Sequence, residues 1–149
     1  MGALQAVGPR PGHGFRGAAI GRTVVGTIWL AGAAFNLTVT RGLERPYEWL
    51  AEGSAVPVYR WFFGEVVAAH PVAWTVALAL GEAALGVLTL SPRRWATVGL
   101  AGSVLMSLFL FSLMTPYTMM MGPYALLVLL LLRAYLRGTG SENEPGDLR

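Results

Sequence analysis

Long apolar runs, each broken by a few polar residues, dominate this chain. Four of them reach the ~20 mainly apolar residues that a bilayer-spanning helix needs. They lie at about 20–40 (IGRTVVGTIWLAGAAFNLTVT), 71–90 (PVAWTVALALGEAALGVLTL), 95–114 (WATVGLAGSVLMSLFLFSLM) and 117–136 (YTMMMGPYALLVLLLLRAYL). The short polar stretches SPRR at 91–94 and TPYT at 115–118 read as tight turns. The second, third and fourth helices are therefore expected as antiparallel neighbours. The first run carries Arg22 near its start and no small-x-small cleavage site after Asn36 and Thr38, so it reads as a mature helix rather than a signal peptide. The expected fold is all-α, a membrane four-helix bundle over 18–137. Residues 1–17 are rich in Gly and Pro and read as a flexible N-terminus; 138–149 read as a disordered polar tail.

The long connection, 41–70, has its own pattern. VPVYRWFFGEVVAAHP at 56–71 puts Val58, Trp61, Phe62, Glu65, Val66 and Ala69 near one face at helical spacing. Tyr47, Trp49, Tyr59 and Phe63 add aromatics of the kind that prefer the headgroup zone. This predicts a short interfacial helix in the first outer loop, not a fifth span. Pro71 then marks the turn into the second span or a kink near its start.

Within the spans the polar residues are few, and their placement is informative. Glu82 is the one charge in ALALGEAALGVLTL, 77–90. It lies roughly 12 Å from the nearer end of its helix at ~1.5 Å per residue. A carboxylate at that depth costs a few kcal/mol unless paired, protonated or wetted, so it should face the bundle. Helical spacing puts Thr75, Ala79, Gly86 and Thr89 on its stripe, and the small residues would let another helix approach closely. On the first helix Arg22, Gly26, Trp29, Ala33 and Asn36 share a face. Arg22 is the expected ion-pair partner of Glu82; the alternative is that it only anchors the helix end. Asn36 reads as an interhelical hydrogen-bonding residue or an interfacial cap before a ligand contact. Gly99, Ser103 and Ser107, at steps of four, form a packing stripe on the third helix. His70 and Glu65, at the outer edge, are candidates for proton relay or headgroup contact.

Composition agrees with the membrane reading. Of 149 residues, 54% are hydrophobic and only 13% charged, and the mean hydropathy is +0.54. A soluble domain carries about 25% charge. There is no cysteine, hence no disulfide or thiolate metal site within the chain. The pI of 9.8 comes from arginines scattered along the chain, with no basic patch for nucleic acid. Eight of the 11 (Arg10, Arg16, Arg22, Arg93, Arg94, Arg133, Arg137 and Arg149) fall on one side, against Arg41, Arg45 and Arg60 on the other. That asymmetry predicts a cell-membrane protein with both termini cytoplasmic. No phosphate loop, metal-ligand pair or nucleophile–base pair occurs, so no metal site and no catalytic residue is expected. Met114, Met119, Met120 and Met121 read as packing residues.

The whole pattern resembles the DoxX-like family of small bacterial integral membrane proteins. Glu82 followed by Gly86, Leu88 and Leu90 and then by Arg93 and Arg94 carries the likeness; Arg22 and Gly26 match the opening helix less specifically. The likeness covers roughly 20–135. It implies a four-helix membrane bundle and, from relatives described as membrane subunits, a quinone-linked redox system. The expected role is a non-catalytic subunit or anchor, with a redox enzyme partner or a second copy of itself in the bilayer. It would hold no covalent cofactor, with quinone as the implied ligand. Glu82, Arg22, Asn36, Thr75, Ser103 and Ser107 are its pocket candidates. Two other readings stand beside it: a small transporter or permeation element with a polar seam around Glu82, and a purely structural membrane partner.

Overall fold

The structure, a computed structural model, describes residues 13–44, 47–113, 115–116 and 118–140, with side chains from 17 to 137. Of the flexible ends expected at 1–17 and 138–149, residues 1–12 and 141–149 lie outside the described residues, as do Arg45, Met114 and Tyr117, while 138–140, expected in the disordered tail, continue the last helix. Residues 13–17, expected to be loose, already belong to the first helix.

Among the described residues there are six α-helices and no strand. Four are long: α1 (His13–Thr38), α4 (Pro71–Leu90), α5 (Arg93–Ser112) and α6 (Met121–Gly140). Two short ones, α2 (Glu48–Gly53) and α3 (Pro57–Trp61), sit in the connection between α1 and α4. The four long elements are apolar enough to cross a membrane. They close a ring in which α1 packs on α4 and α6, α4 on α5, and α5 on α6; the α1–α4 contact is the most extensive. The start of α1 and the end of α6 therefore lie at one end of the bundle, the terminal end. The opposite end, with α2 and α3, is the loop end.

The outside of the bundle is apolar, with Leu80, Leu105 and Leu127 each more than 60% exposed, while Asn36, Thr75, Glu82, Thr89, Ser103 and Ser107 are buried. That inversion suits a hydrocarbon surround. It also requires every inward hydroxyl to find an acceptor. Most do so on their own helix: Ser103 and Ser107 donate to Gly99 O and Ser103 O at 2.8 and 2.7 Å, and Thr75 donates to Pro71 O at 2.9 Å.

Chain punctuation sets the helix ends. Pro71 occupies the first turn of α4, where its missing N–H costs nothing. Pro92 forces Ser91 into an extended conformation, ending α4, and α5 begins at Arg93. At the loop end Thr115 and Thr118 cap each other: each hydroxyl accepts from the other's backbone N–H, at 3.1 and 3.0 Å. The long connection is tied to α5 through Ser54, whose hydroxyl donates to Leu113 O at 2.7 Å, and through Tyr59, 2.9 Å from the Ser112 hydroxyl.

That connection departs from the expected single helix. α3 stops at Trp61 and a π-helical turn follows at Phe62–Val67. The wider turn changes the phase, so Phe63 and Val67 face inward. Val58 and Trp61, expected on the same face as Phe62, are 58% and 60% exposed. Phe63 and Val67 join Tyr47, Leu50 and Leu113 in an apolar cluster that caps the loop end; Val25, Trp29, Leu100 and Val128 form the other cluster, between α1, α5 and α6.

Two close approaches fix how the helices meet. A Cβ on Gly86 would lie 2.7 Å from Leu30 Cγ and 2.9 Å from Gly26 O, so α1 and α4 touch backbone to backbone. A Cβ on Gly99 would fall on the Thr89 backbone nitrogen. Gly99→Ala is therefore expected to destabilise the bundle by about 1–3 kcal/mol. Gly81→Ala, with nothing within 4 Å, should stay within about 1 kcal/mol of the parent or improve on it. Thermal melts in detergent or nanodiscs separate the two; matching melts would remove the close-approach argument.

Candidate functional site

Glu82 lies in the middle of α4 and retains 9% of its surface. Its stripe is the one expected, since Thr75, Ala79, Gly86 and Thr89 are the other buried residues of α4. Its partner is not the one expected. Asn36 Nδ2 donates to Glu82 Oε2 at 2.8 Å, joining α1 to α4. Gly32 makes room for it: a Cβ there would sit 3.2 Å from Glu82 Oε1.

Arg22 does not pair with Glu82. Its Nη1 donates to Ser91 O at 3.2 Å and reaches the Tyr135 hydroxyl at 3.5 Å, and its guanidinium lies 5.9 Å from the Tyr135 ring centre. The antiparallel register explains this. Arg22 is level with Ser91, and Ser91 is nine residues, roughly 13 Å, from Glu82 along α4. Tyr135 in turn donates to Arg93 O at 3.4 Å, so this cluster staples three helices at the terminal end.

Of the remaining candidates, Thr75 is fully buried on the loop-end side of Glu82. Ser103 and Ser107 are also fully buried, with their hydroxyls committed to the α5 backbone, so they pack rather than present a donor. His70 and Glu65 are not brought together. Both are exposed, His70 at the start of α4 and Glu65 in the π-helical turn. Among the described residues, no cluster of three or more His, Cys, Asp or Glu is placed to hold a metal ion.

One residue of the site was not expected. Tyr47, just before α2, is 8% exposed, and its hydroxyl makes no hydrogen bond. Burial pushes its phenol above the ordinary tyrosine range. The Thr75 hydroxyl beside it works against that rise, and the charge of Glu82 adds to it. Thr75 gives its own proton to Pro71 O, which leaves the phenol adjacent but unbonded. In sequence Tyr47 is one interfacial aromatic among several, and no local signal distinguishes it.

Tyr47 also borders two cavities at the loop end. One, of about 520 Å³, lies between Glu44, Glu48, Glu52, Phe63 and Pro71. The other is a slot of about 300 Å³ walled by Phe62, Phe63, Trp74, Phe109 and Leu110. Among the described residues that line it, Tyr47 and Trp74 are the ones with polar side-chain atoms, and none is charged. Trp74 and Phe109 are on the outer, apolar surface, so the slot faces the lipid.

Fold and site together define a multi-pass helical membrane protein with a carboxylate–amide pair buried between two spans. No family model, curated protein or solved structure matches the chain.

The Asn36–Glu82 bond makes a distinguishing prediction. Glu82→Gln keeps an acceptor oxygen for Asn36 and should melt within about 1 kcal/mol of the parent. Asn36→Leu strips the carboxylate of its donor and should cost about 1–3 kcal/mol. Thermal melts of both variants check this, and equal loss in the two would mean that the charge, rather than the hydrogen bond, holds the helices.

Proposed function

We propose that this chain is a membrane subunit that holds a lipid-soluble, quinone-sized molecule at its loop end and serves a redox partner without a catalytic cofactor of its own. The aromatic slot beside Tyr47 carries the proposal. Its walls include two residues that carry donors, Tyr47, whose buried hydroxyl has no partner, and Trp74, and among the described residues no charge lines it, which suits a neutral ring bearing carbonyl acceptors. A volume of about 300 Å³ takes the ring and leaves an apolar tail in the bilayer. Glu82 shares the buried stripe of α4 with Thr75, and a carboxylate within the bundle supports a proton-exchanging role. Quinone reduction consumes protons, so the pairing of slot and carboxylate is chemically coherent. The resemblance to DoxX-like proteins supports the same reading in a bacterial cell membrane, and the arginine asymmetry supports a cytoplasmic terminal end.

A permeation element is the competing proposal. It requires a path from one end of the bundle to the other, and the backbone contact of Gly26 and Gly86 stands across it.

Trp74 supplies the readout. In nanodiscs, a short-tailed benzoquinone should quench tryptophan fluorescence saturably, and Trp74→Phe should remove most of that quenching. Tyr47→Phe should weaken the apparent affinity about three- to tenfold, the value of one net hydrogen bond. Linear, non-saturating quenching unaffected by Tyr47→Phe would defeat the proposal.

A further inference from the structure

The terminal end of the bundle carries positive charge with nothing beside it to balance that charge. Among the described residues this end holds Arg22, Arg93, Arg94, Arg133 and Arg137. The described acids, Glu44, Glu48, Glu52, Glu65 and Glu82, lie at the loop end or in mid-span. Arg22 is turned onto Ser91 O and Tyr135. Arg94, Arg133 and Arg137 are exposed.

These three arginines stand where lipid-facing stripes end. On α6, Leu126, Leu130, Arg133 and Arg137 follow one another at helical spacing on one face, and both leucines are more than half exposed. On α5, Arg94 shares its face with Val98, Leu105 and Leu108, all exposed. Tyr135 donates to Arg93 O at 3.4 Å, so the start of α5 is level with residues 133–137 of α6, its neighbour in the ring. The outer residues of α4, such as Leu80, Val87 and Leu90, end at Ser91 without a cation.

Depth adds a second constraint. Arg137 closes the apolar span of α6, and Arg133 sits four residues, roughly 6 Å, inside it. A guanidinium on the lipid-facing surface at that depth is costly unless it snorkels to the headgroups or draws a phosphate to itself. Arg94 is held at the same boundary, 5.6 Å from the ring centre of the exposed Trp95. An indole in that position is at home among headgroups.

We infer that the α5–α6 face of the bundle binds anionic phospholipid, with the phosphate on Arg94, Arg133 and Arg137 and the acyl chains along the leucines below. A guanidinium donates two parallel hydrogen bonds to a phosphate, and a headgroup of net negative charge supplies the balance this end lacks. A zwitterionic headgroup brings its own cation and gives less. The inference goes beyond the proposed function and does not depend on it, since the slot and Glu82 take no part. The rival counter-charge is in the chain itself, at Glu142, Glu144 and Asp147.

Native mass spectrometry of the full chain, after exposure to equal amounts of phosphatidylglycerol and phosphatidylcholine with the same acyl chains, provides the test. Phosphatidylglycerol should be retained about tenfold over phosphatidylcholine. Each of Arg94→Gln, Arg133→Gln and Arg137→Gln should lower that ratio by about two- to fivefold, and the three together should bring it close to one. The side chains are exposed, so the variants should melt with the parent. Arg41→Gln, at the loop end, should leave the ratio unchanged. Equal retention of the two lipids by the parent, as neutralisation by the acids at 142–147 would produce, would overturn the inference. So would a triple variant that keeps the preference, or an Arg41→Gln chain that loses as much as the single variants. Glycerol phosphate at the same concentration should not displace the lipid; displacement would make a soluble phosphate the ligand and remove the lipid seat.

Discussion

The hydrogen bond between Asn36 and Glu82 exists only because α1 and α4 touch backbone to backbone. Both side chains are short relative to the usual distance between helix axes, about 8–10 Å. Gly26 and Gly86 remove the Cβ atoms that would hold the helices apart, and Gly32 clears the space the carboxylate occupies. With that contact in place, Thr75, Ala79, Glu82 and Thr89 are all turned away from lipid. The same principle repeats on the other side of α4, where Gly99 lets α5 come against Thr89. Small residues thus set the helix spacing, and the polar residues take the positions that spacing offers.

The two ends of the bundle then divide the work. At the terminal end a tight Ser91–Pro92 turn and the Arg22–Tyr135 staple hold three helices together. At the loop end some thirty residues separate α1 from α4, and they fold back as short helices pinned to the end of α5 through Ser54 and Tyr59. A short turn gives compactness and little else. A long connection can place a side chain such as Tyr47 over the bundle mouth, and two cavities border that residue.

The spans were legible because bilayer length and hydropathy constrain them strongly, and the inward stripe of α4 because a single charge in an apolar helix has one tolerable direction. The partner of Glu82 was not legible in the same way. Electrostatics favoured Arg22, but pairing across antiparallel helices depends on register, and register was set by glycine contacts that spacing alone does not locate. The inward face of the outer loop was missed for a local reason: a π-helical turn at Phe62–Val67 breaks the 3.6-residue period on which the expectation stood. Tyr47 was missed because its burial comes from tertiary packing with Leu50, Phe63 and Leu113, none of it visible in its neighbours along the chain.

The energetics of the buried pair bear on why a carboxylate stands at residue 82. An acidic residue at the centre of a span costs about 3 kcal/mol on insertion scales. An interhelical hydrogen bond in a membrane returns about 0.6–2 kcal/mol. The bond to Asn36 therefore does not offset the insertion cost. A glutamine at the same position would keep an acceptor for Asn36 without the charge, and the glycine contacts would hold the helices either way. A glutamate differs from that glutamine in carrying a group that can gain and lose a proton, and it is this difference that the proposed function draws on.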